Sequence, residues 1–189
     1  METRGYNFSI DAGGPVSGLF RQQGITSFAA AATRVSSWPY KRNRDKSDLA
    51  AVFAEGCGTC STKHALLYTL AAEQGRHEVS LVLGIFKMSA VSTPKIKARL
   101  DRHGLDYMPE AHNYLRINGV IADYTWPDAP GFSNDILTEQ VIVPAQITGF
   151  KVAFHRAFLE QWLSENPTVP YNLDELWMIR EQCIRDLAG

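Results

Sequence analysis

Apolar positions along the chain fall into stretches of two different periods. Between Cys60 and about Gln74, Leu66, Leu67, Leu70 and Ala71 recur at helical spacing, which predicts a helix with one face in the core and a stop at Gly75. From Glu78 to Phe86 the residues are mostly Val, Leu and Ile, the pattern of a buried strand. Upstream, Thr26 as N-cap, Phe28 and four alanines predict a helix over 26–37, ended by Trp38-Pro39. Ser47 would cap a short helix through Ala54, interrupted by Gly56 and Gly58. Thr93-Pro94 opens a helix to Arg102, with His103-Gly104 closing it. Segments 111–117 and 120–125 flank Asn118-Gly119, a strong signal for a two-residue hairpin turn. A further strand is expected over Glu139–Val143.

Two helices close the chain. The first covers about 148–164, with Phe154, Phe158 and Trp162 four residues apart; the second starts at Asn172, where Glu175 completes a capping box. Residues 1–18, polar and broken by Gly13-Gly14-Pro15, read as an arm or loop, and Lys41–Lys46 as a solvated charged turn. The sum is an α+β fold in a single domain over 1–189. Its core lies roughly at 26–145, and the helices of 148–189 could form a partly separate appendage.

Composition narrows the classes. A chain of 189 residues with 45% hydrophobic and 21% charged residues fits one globular domain with a substantial core. The net charge of −1 leaves no broad footprint for nucleic acid. No apolar run reaches the roughly 18 residues that span a bilayer, so no membrane partner is expected. Met1–Asp11 lacks an apolar stretch and does not read as a signal peptide, so the expected location is the cytoplasm. The cysteines are Cys57, Cys60 and Cys183, an odd count that does not suit a secreted disulfide scaffold. No nucleotide loop or cofactor motif appears, so no cofactor is expected, and oligomeric state stays open.

The candidate chemistry begins at Gly56-Cys57-Gly58-Thr59-Cys60, a glycine-rich turn leading into the first turn of a helix. The first N–H groups of a helix have no intrahelical partner, and the helix dipole is positive there. A cysteine at that position is expected to have its pKa lowered below the free value of about 8.5, and the thiolate is the nucleophile. Nearby N–H groups can receive an oxyanion. Downstream, His112 lies on the first hairpin strand and Asp123 on the second. With Asn118-Gly119 as a two-residue turn, Ile117 pairs with Val120, Asp123 falls opposite Tyr114 and His112 opposite Thr125. His112 and Asp123 are then diagonal neighbours on one face, with Cα atoms roughly 7–8 Å apart. A three-residue loop would put them on opposite faces. Leu115, Ile117, Val120, Ala122 and Tyr124 make up the core-facing side, which leaves the His112/Asp123 side more polar. An aspartate that accepts from a histidine fixes its tautomer, and that histidine can exchange a proton with Cys60.

These segments resemble a known family. Gly58-Thr59-Cys60-Ser61-Thr62-Lys63-His64-Ala65 is similar to the Gly-x-Cys box of the transglutaminase-like superfamily. His112 through Asp123-Tyr124-Thr125-Trp126 resembles its His and Asp boxes, in the same order. The similarity covers about residues 47–126. It implies a papain-like α+β core, with Cys at a helix N-terminus packed on an antiparallel sheet that carries His and Asp. It further implies Cys60, His112 and Asp123 as a triad acting on a peptide, amide or small acyl substrate through a thioester. Hydrolysis and acyl transfer use the same triad. Gln22, Gln23, Trp38 and Asn43 are upstream candidates for an oxyanion-hole side chain, and none is placed by spacing alone.

Three other readings compete. Cys57-Gly58-Thr59-Cys60 is a C-x-x-C at a helix start, as in thiol–disulfide oxidoreductases, and the two cysteines could also form a regulatory disulfide. Cys57, Cys60 and His64 offer three metal ligands, but a structural zinc site needs a fourth. A non-catalytic binding member of the same fold is the third. His64 is expected to pack on its helix or behind the site, and Lys63 to lie at the surface. His77, His103 and His155 have no evident partner, and Cys183 reads as a buried small apolar residue.

Overall fold

Residues 5–11, 13–127 and 135–188 are described by the computed structural model. Residues 1–4 and 12 of the expected N-terminal arm lie outside them. In chain order the helices are α1 (Pro15–Gln22), α2 (Phe28–Ser36), α3 (Leu49–Glu55), α4 (Cys60–Glu73), α5 (Lys97–His103), α6 (Gly149–Glu165) and α7 (Leu173–Ala188). The strands are β1 (Val79–Ser89), β2 (Tyr107–Ile117), β3 (Val120–Ala122) and β4 (Ile136–Ile142). They form one antiparallel sheet in the order β3-β2-β1-β4, so the fold is α+β among the described residues. No helix among those residues is long and apolar enough to cross a membrane.

Most elements lie where periodicity puts them, and the caps explain the small shifts. The N-cap of α2 is Ser27 rather than Thr26, with its hydroxyl accepting from Ala30 N–H. Asp48 rather than Ser47 caps α3, its carboxylate accepting from Ala50 and Ala51 N–H, while Ser47 bonds Asp45. The Asn172–Glu175 box forms as expected. Asn172 N–H donates to the Glu175 carboxylate, and Asn172 Oδ1 accepts from Glu175 N–H.

One helix departs from the sequence reading. Residues 15–18, expected in an arm or loop, instead open α1. Its first turn is capped by a residue far along the chain: Glu73, at the end of α4, accepts from Val16 N–H (2.9 Å), Ser17 N–H (2.6 Å) and the Ser17 hydroxyl (2.5 Å). A cap supplied at that separation leaves no local signature.

The chain divides into two compact units. The first contains the described residues of Met1–Leu83, His112–Ala129 and Gln140–Thr148. At its centre is α4, which contacts α1, α2, α3 and the 3-10 turn Pro144–Ile147. Leu66, Leu67 and Leu70 are fully buried, each contributing about 1.5–3 kcal/mol of burial. Phe8 stacks on Phe28, and Phe53 meets Phe20 and Trp38 edge-on. The second unit contains the described residues of Gly84–Ala111, Pro130–Glu139 and Gly149–Gly189. Met88, Ile96, Leu100, Met108, Leu159, Trp162, Leu176 and Ile179 build its core.

Cys183 is fully buried in that second core, as expected, and burial pushes its thiol up to about 11. Two histidines that looked partnerless have partners. His155, buried, pairs with Pro109 O (2.8 Å), and His103 pairs with the Tyr171 hydroxyl (3.1 Å). The Arg180 guanidinium forks onto the buried Glu110 carboxylate and lies over the Trp177 ring.

Candidate active site

The turn ahead of α4 is built from buried polar contacts. Gly56 ends α3 in the left-handed region (φ 57°), and Tyr40 bridges Gly58 in parallel. Asn43 spends both amide protons here, on Glu55 Oε2 and Cys57 O (2.9 Å each), and its Oδ1 accepts from the Thr62 hydroxyl (2.8 Å). Thr62 Oγ1 in turn accepts from Thr59 N–H (3.0 Å). A Cβ on Gly58 would come within 2.7 Å of that oxygen, so glycine is what lets the turn close on the helix. The result is Cys60 as the first residue of α4, 5% exposed, at the positive end of the helix dipole.

The hairpin has the expected turn and register. Asn118 (φ 50°) and Gly119 (φ 79°) both take positive φ, and Ile117, Arg116 and Leu115 pair with Val120, Ile121 and Ala122. Pairing stops there. Asp123, Tyr124 and Thr125 do not continue the strand as the sequence suggested, although His112 and Asp123 still meet: His112 Nε2 lies 2.8 Å from Asp123 Oδ2. The other carboxylate oxygen accepts from Thr125 N–H (2.8 Å). Cys60 also favours a charge on the His112 ring. The His112 side of the hairpin is less open than the alternation implied. Tyr114 on that side is fully buried and stacks on the His112 ring.

Electrostatics follow from this row. Burial opposes a charge on His112, but the Asp123 carboxylate and then Cys60 outweigh it and push the imidazole up to about 10. Burial also opposes the Asp123 charge. His112 outweighs it and holds that carboxyl well below the usual range. At neutral pH the pair is an imidazolium against a carboxylate.

Four consecutive polar residues of α4 are buried, each with a specific partner. Ser61 donates to Asn113 Oδ1 (2.9 Å), and Asn113 donates to Val82 O (3.1 Å). Thr62 bonds Asn43. Lys63, expected at the surface, is fully buried. Its ammonium donates to the carbonyls of Trp38 (2.6 Å), Thr125 (2.7 Å) and Ser36 (3.3 Å). His64 sits behind the site, as expected: Nδ1 donates to Cys60 O (2.7 Å), and Nε2 accepts from Tyr124 N–H (2.8 Å). Because Nε2 accepts a proton, the 3.5 Å approach of Asp123 Oδ1 is not an ion pair, and burial keeps this ring neutral.

The upstream candidates for an oxyanion-hole side chain are exposed or engaged elsewhere. Gln22 and Gln23 are exposed, Trp38 is packed on Phe53, and both Asn43 donors are consumed elsewhere. Cys57 is a free thiol, with Asn43 Nδ2 at 3.8 Å and Glu55 Oε2 at 3.9 Å. The C-x-x-C follows helix α3, not a strand. Among the described residues no three His, Cys, Asp or Glu side chains group as metal ligands, and both His64 nitrogens are engaged. Beside the Gly58 turn, Tyr40 stacks on the half-exposed Trp126 at 5.2 Å. The sequence reading missed Lys63, Asn113 and the true role of Asn43, since a lysine in a helix carries no mark of the carbonyls it will meet. No family model, no curated protein and no solved structure matches the chain.

Proposed function

We propose that this protein is a cysteine hydrolase or acyl transferase that opens an amide or peptide bond through a thioester on Cys60. One observation carries the reading: His112 Nε2 lies 2.8 Å from Asp123 Oδ2, and the same ring is favoured in its charged form by Cys60, the first residue of a helix. A Cys-bearing helix set against a strand-borne His and an Asp is also what a papain-like core uses. The resemblance of the Cys60 and His112–Asp123 segments to the transglutaminase-like superfamily supports the same reading.

In this mechanism the Cys60 thiolate attacks the substrate carbonyl carbon and forms a C–S bond. The negative charge passes to the carbonyl oxygen, where the positive end of α4 favours it. As the intermediate collapses, the bond to the leaving amine breaks, and the His112 imidazolium gives that amine its proton. Water or an acceptor amine then attacks the thioester and yields its proton to His112. The C–S bond breaks, and the thiolate–imidazolium pair is restored. Asp123 keeps its charge throughout and holds the ring in place.

The test is to trap the thioester. Protein incubated with a panel of activated acyl esters and short peptide amides is analysed by intact mass and peptide mapping. An acyl adduct on Cys60 that disappears in Cys60→Ala and accumulates more slowly in His112→Ala is the expected result. An adduct on Cys57 instead, or a Cys57–Cys60 disulfide exchanging with added dithiols while no substrate acylates Cys60, would favour the oxidoreductase alternative. Binding of a panel member with no acylation of any cysteine would favour a non-catalytic member of the fold.

A further inference from the structure

Lys63 and His64 take no part in the chemistry above, yet both reach the backbone immediately after Asp123. Lys63 Nζ donates to Thr125 O, and His64 Nε2 accepts from Tyr124 N–H. Strand β3 has already ended at Ala122, so these two backbone groups take their hydrogen bonds from α4 side chains rather than from β2. Asp123 is tied into the same turn through Thr125 N–H. We infer that Lys63 and His64 are positioning residues, a two-point grip by which the helix carrying Cys60 holds the Tyr124–Thr125 backbone and so fixes Asp123 against His112. This inference rests on the Cys60–His112–Asp123 reading.

Packing alone does not account for Lys63. Removing an ammonium from water is costly, and an apolar side chain of the same length would fill the space without that cost. The ammonium is tolerated because three carbonyls from two segments converge on it: Ser36 and Trp38 at the end of α2, and Thr125 beyond β3. It therefore ties α2, α4 and the Asp123 turn at one point. The titratable groups that face it are Asp123, Cys60 and Cys57, all of which favour its charge, while burial brings it down to about 8. A positive charge held there favours both the Asp123 carboxylate and a thiolate at Cys60. His64 supplies the second point of the grip in a fixed tautomer, and its Nδ1 proton bonds the backbone carbonyl of Cys60 itself.

The experiment uses the full chain with Cys57→Ser and Cys183→Ser, and follows alkylation of Cys60 against pH. The parent is measured first. A Cys60 midpoint well below about 8.5 upholds the triad reading. Lys63→Met is then expected to raise that midpoint by about one unit, slowing alkylation roughly tenfold below it, and Lys63→Arg to recover part of the shift. A folded Lys63→Met with the parent's profile would overturn the grip and leave the triad standing. A parent with no low midpoint would remove the triad and the grip together. Should Lys63→Met fail to fold, Lys63→Gln, which keeps a donor without the charge, takes the same measurement. Hydrogen exchange in the parent gives a second readout. The Tyr124 amide is expected to be protected at least tenfold over a free loop amide, and exchange at the free-loop rate would overturn the grip.

Discussion

His112 Nε2 stands 2.8 Å from Asp123 Oδ2, although Asp123 lies one residue beyond the last paired position of β3. Sheet pairing brings the two residues near one another, and hydrogen bonds to its carboxylate hold the aspartate once pairing has stopped. The carboxylate has His112 on one oxygen and Thr125 N–H on the other. Replacing Asp123 by Asn keeps an acceptor for the ring but removes the charge. The His112 imidazole, pushed up to about 10 in the parent, is expected to fall by roughly 1–3 units in Asp123→Asn. NMR titration of the ring checks this, and an unmoved titration would mean that Asp123 does not set the charge of His112.

The same pair predicts a pH dependence of stability. The folded pKa of His112 is raised, so its contribution is fully present below the unfolded value of 6.5 and is lost as pH rises toward about 10. The folded pKa of Asp123 is lowered, so its contribution is present above 3.8 and is lost as pH falls below that value. The stability gap between the parent and His112→Gln is therefore expected to be widest between these limits and to shrink toward pH 10. Denaturant unfolding of both proteins across pH measures the gap, and a gap that widens above pH 6.5 would contradict the assignment.

Gly58→Ala probes the turn that delivers Cys60. The added Cβ would meet Thr62 Oγ1 at 2.7 Å, and that oxygen serves both Thr59 N–H and Asn43. The expected loss is about 1–3 kcal/mol, the cost of disturbing buried hydrogen bonds. In Gly58→Ala with Thr62→Ala the clash is gone, so the double variant should lose less than the sum of the singles. Urea unfolding of the three variants reads the coupling, and strict additivity would mean that the two residues do not oppose each other.

In the second unit, Arg180→Ala leaves the buried Glu110 carboxylate without its guanidinium. A loss of about 3–5 kcal/mol is expected, whereas replacing both partners by apolar residues should cost much less. Thermal and denaturant unfolding distinguish the two cases. Equal losses would place the energy in side-chain packing rather than in the uncompensated charge.

Local patterns were enough to locate α4, β1, the hairpin turn and both C-terminal helices, because each carries its own period, cap or turn residues. The Asn118-Gly119 turn also fixed the register, and with it the meeting of His112 and Asp123. What stayed hidden depends on partners distant in sequence. Glu73 creates the start of α1 across more than fifty residues, as seen in its bonds to Val16 and Ser17. Lys63 looks like an ordinary surface lysine until Ser36, Trp38 and Thr125 present their carbonyls to it. Asn43 sits in a charged loop that reads as solvated, yet it is buried because Thr62, Glu55 and Cys57 use every polar atom of its amide. Beyond the end of β3, Thr125 O and Tyr124 N–H likewise meet partners distant in sequence, the α4 side chains of Lys63 and His64.

The most direct test of the central claim is the pH profile of Cys60 alkylation in the Cys57→Ser, Cys183→Ser protein, with and without His112→Ala. A thiolate–imidazolium pair requires an apparent midpoint well below about 8.5 in the parent and a higher one once His112 is removed. A Cys60 that reacts no faster than a free thiol, or a profile that His112→Ala leaves unchanged, would contradict it.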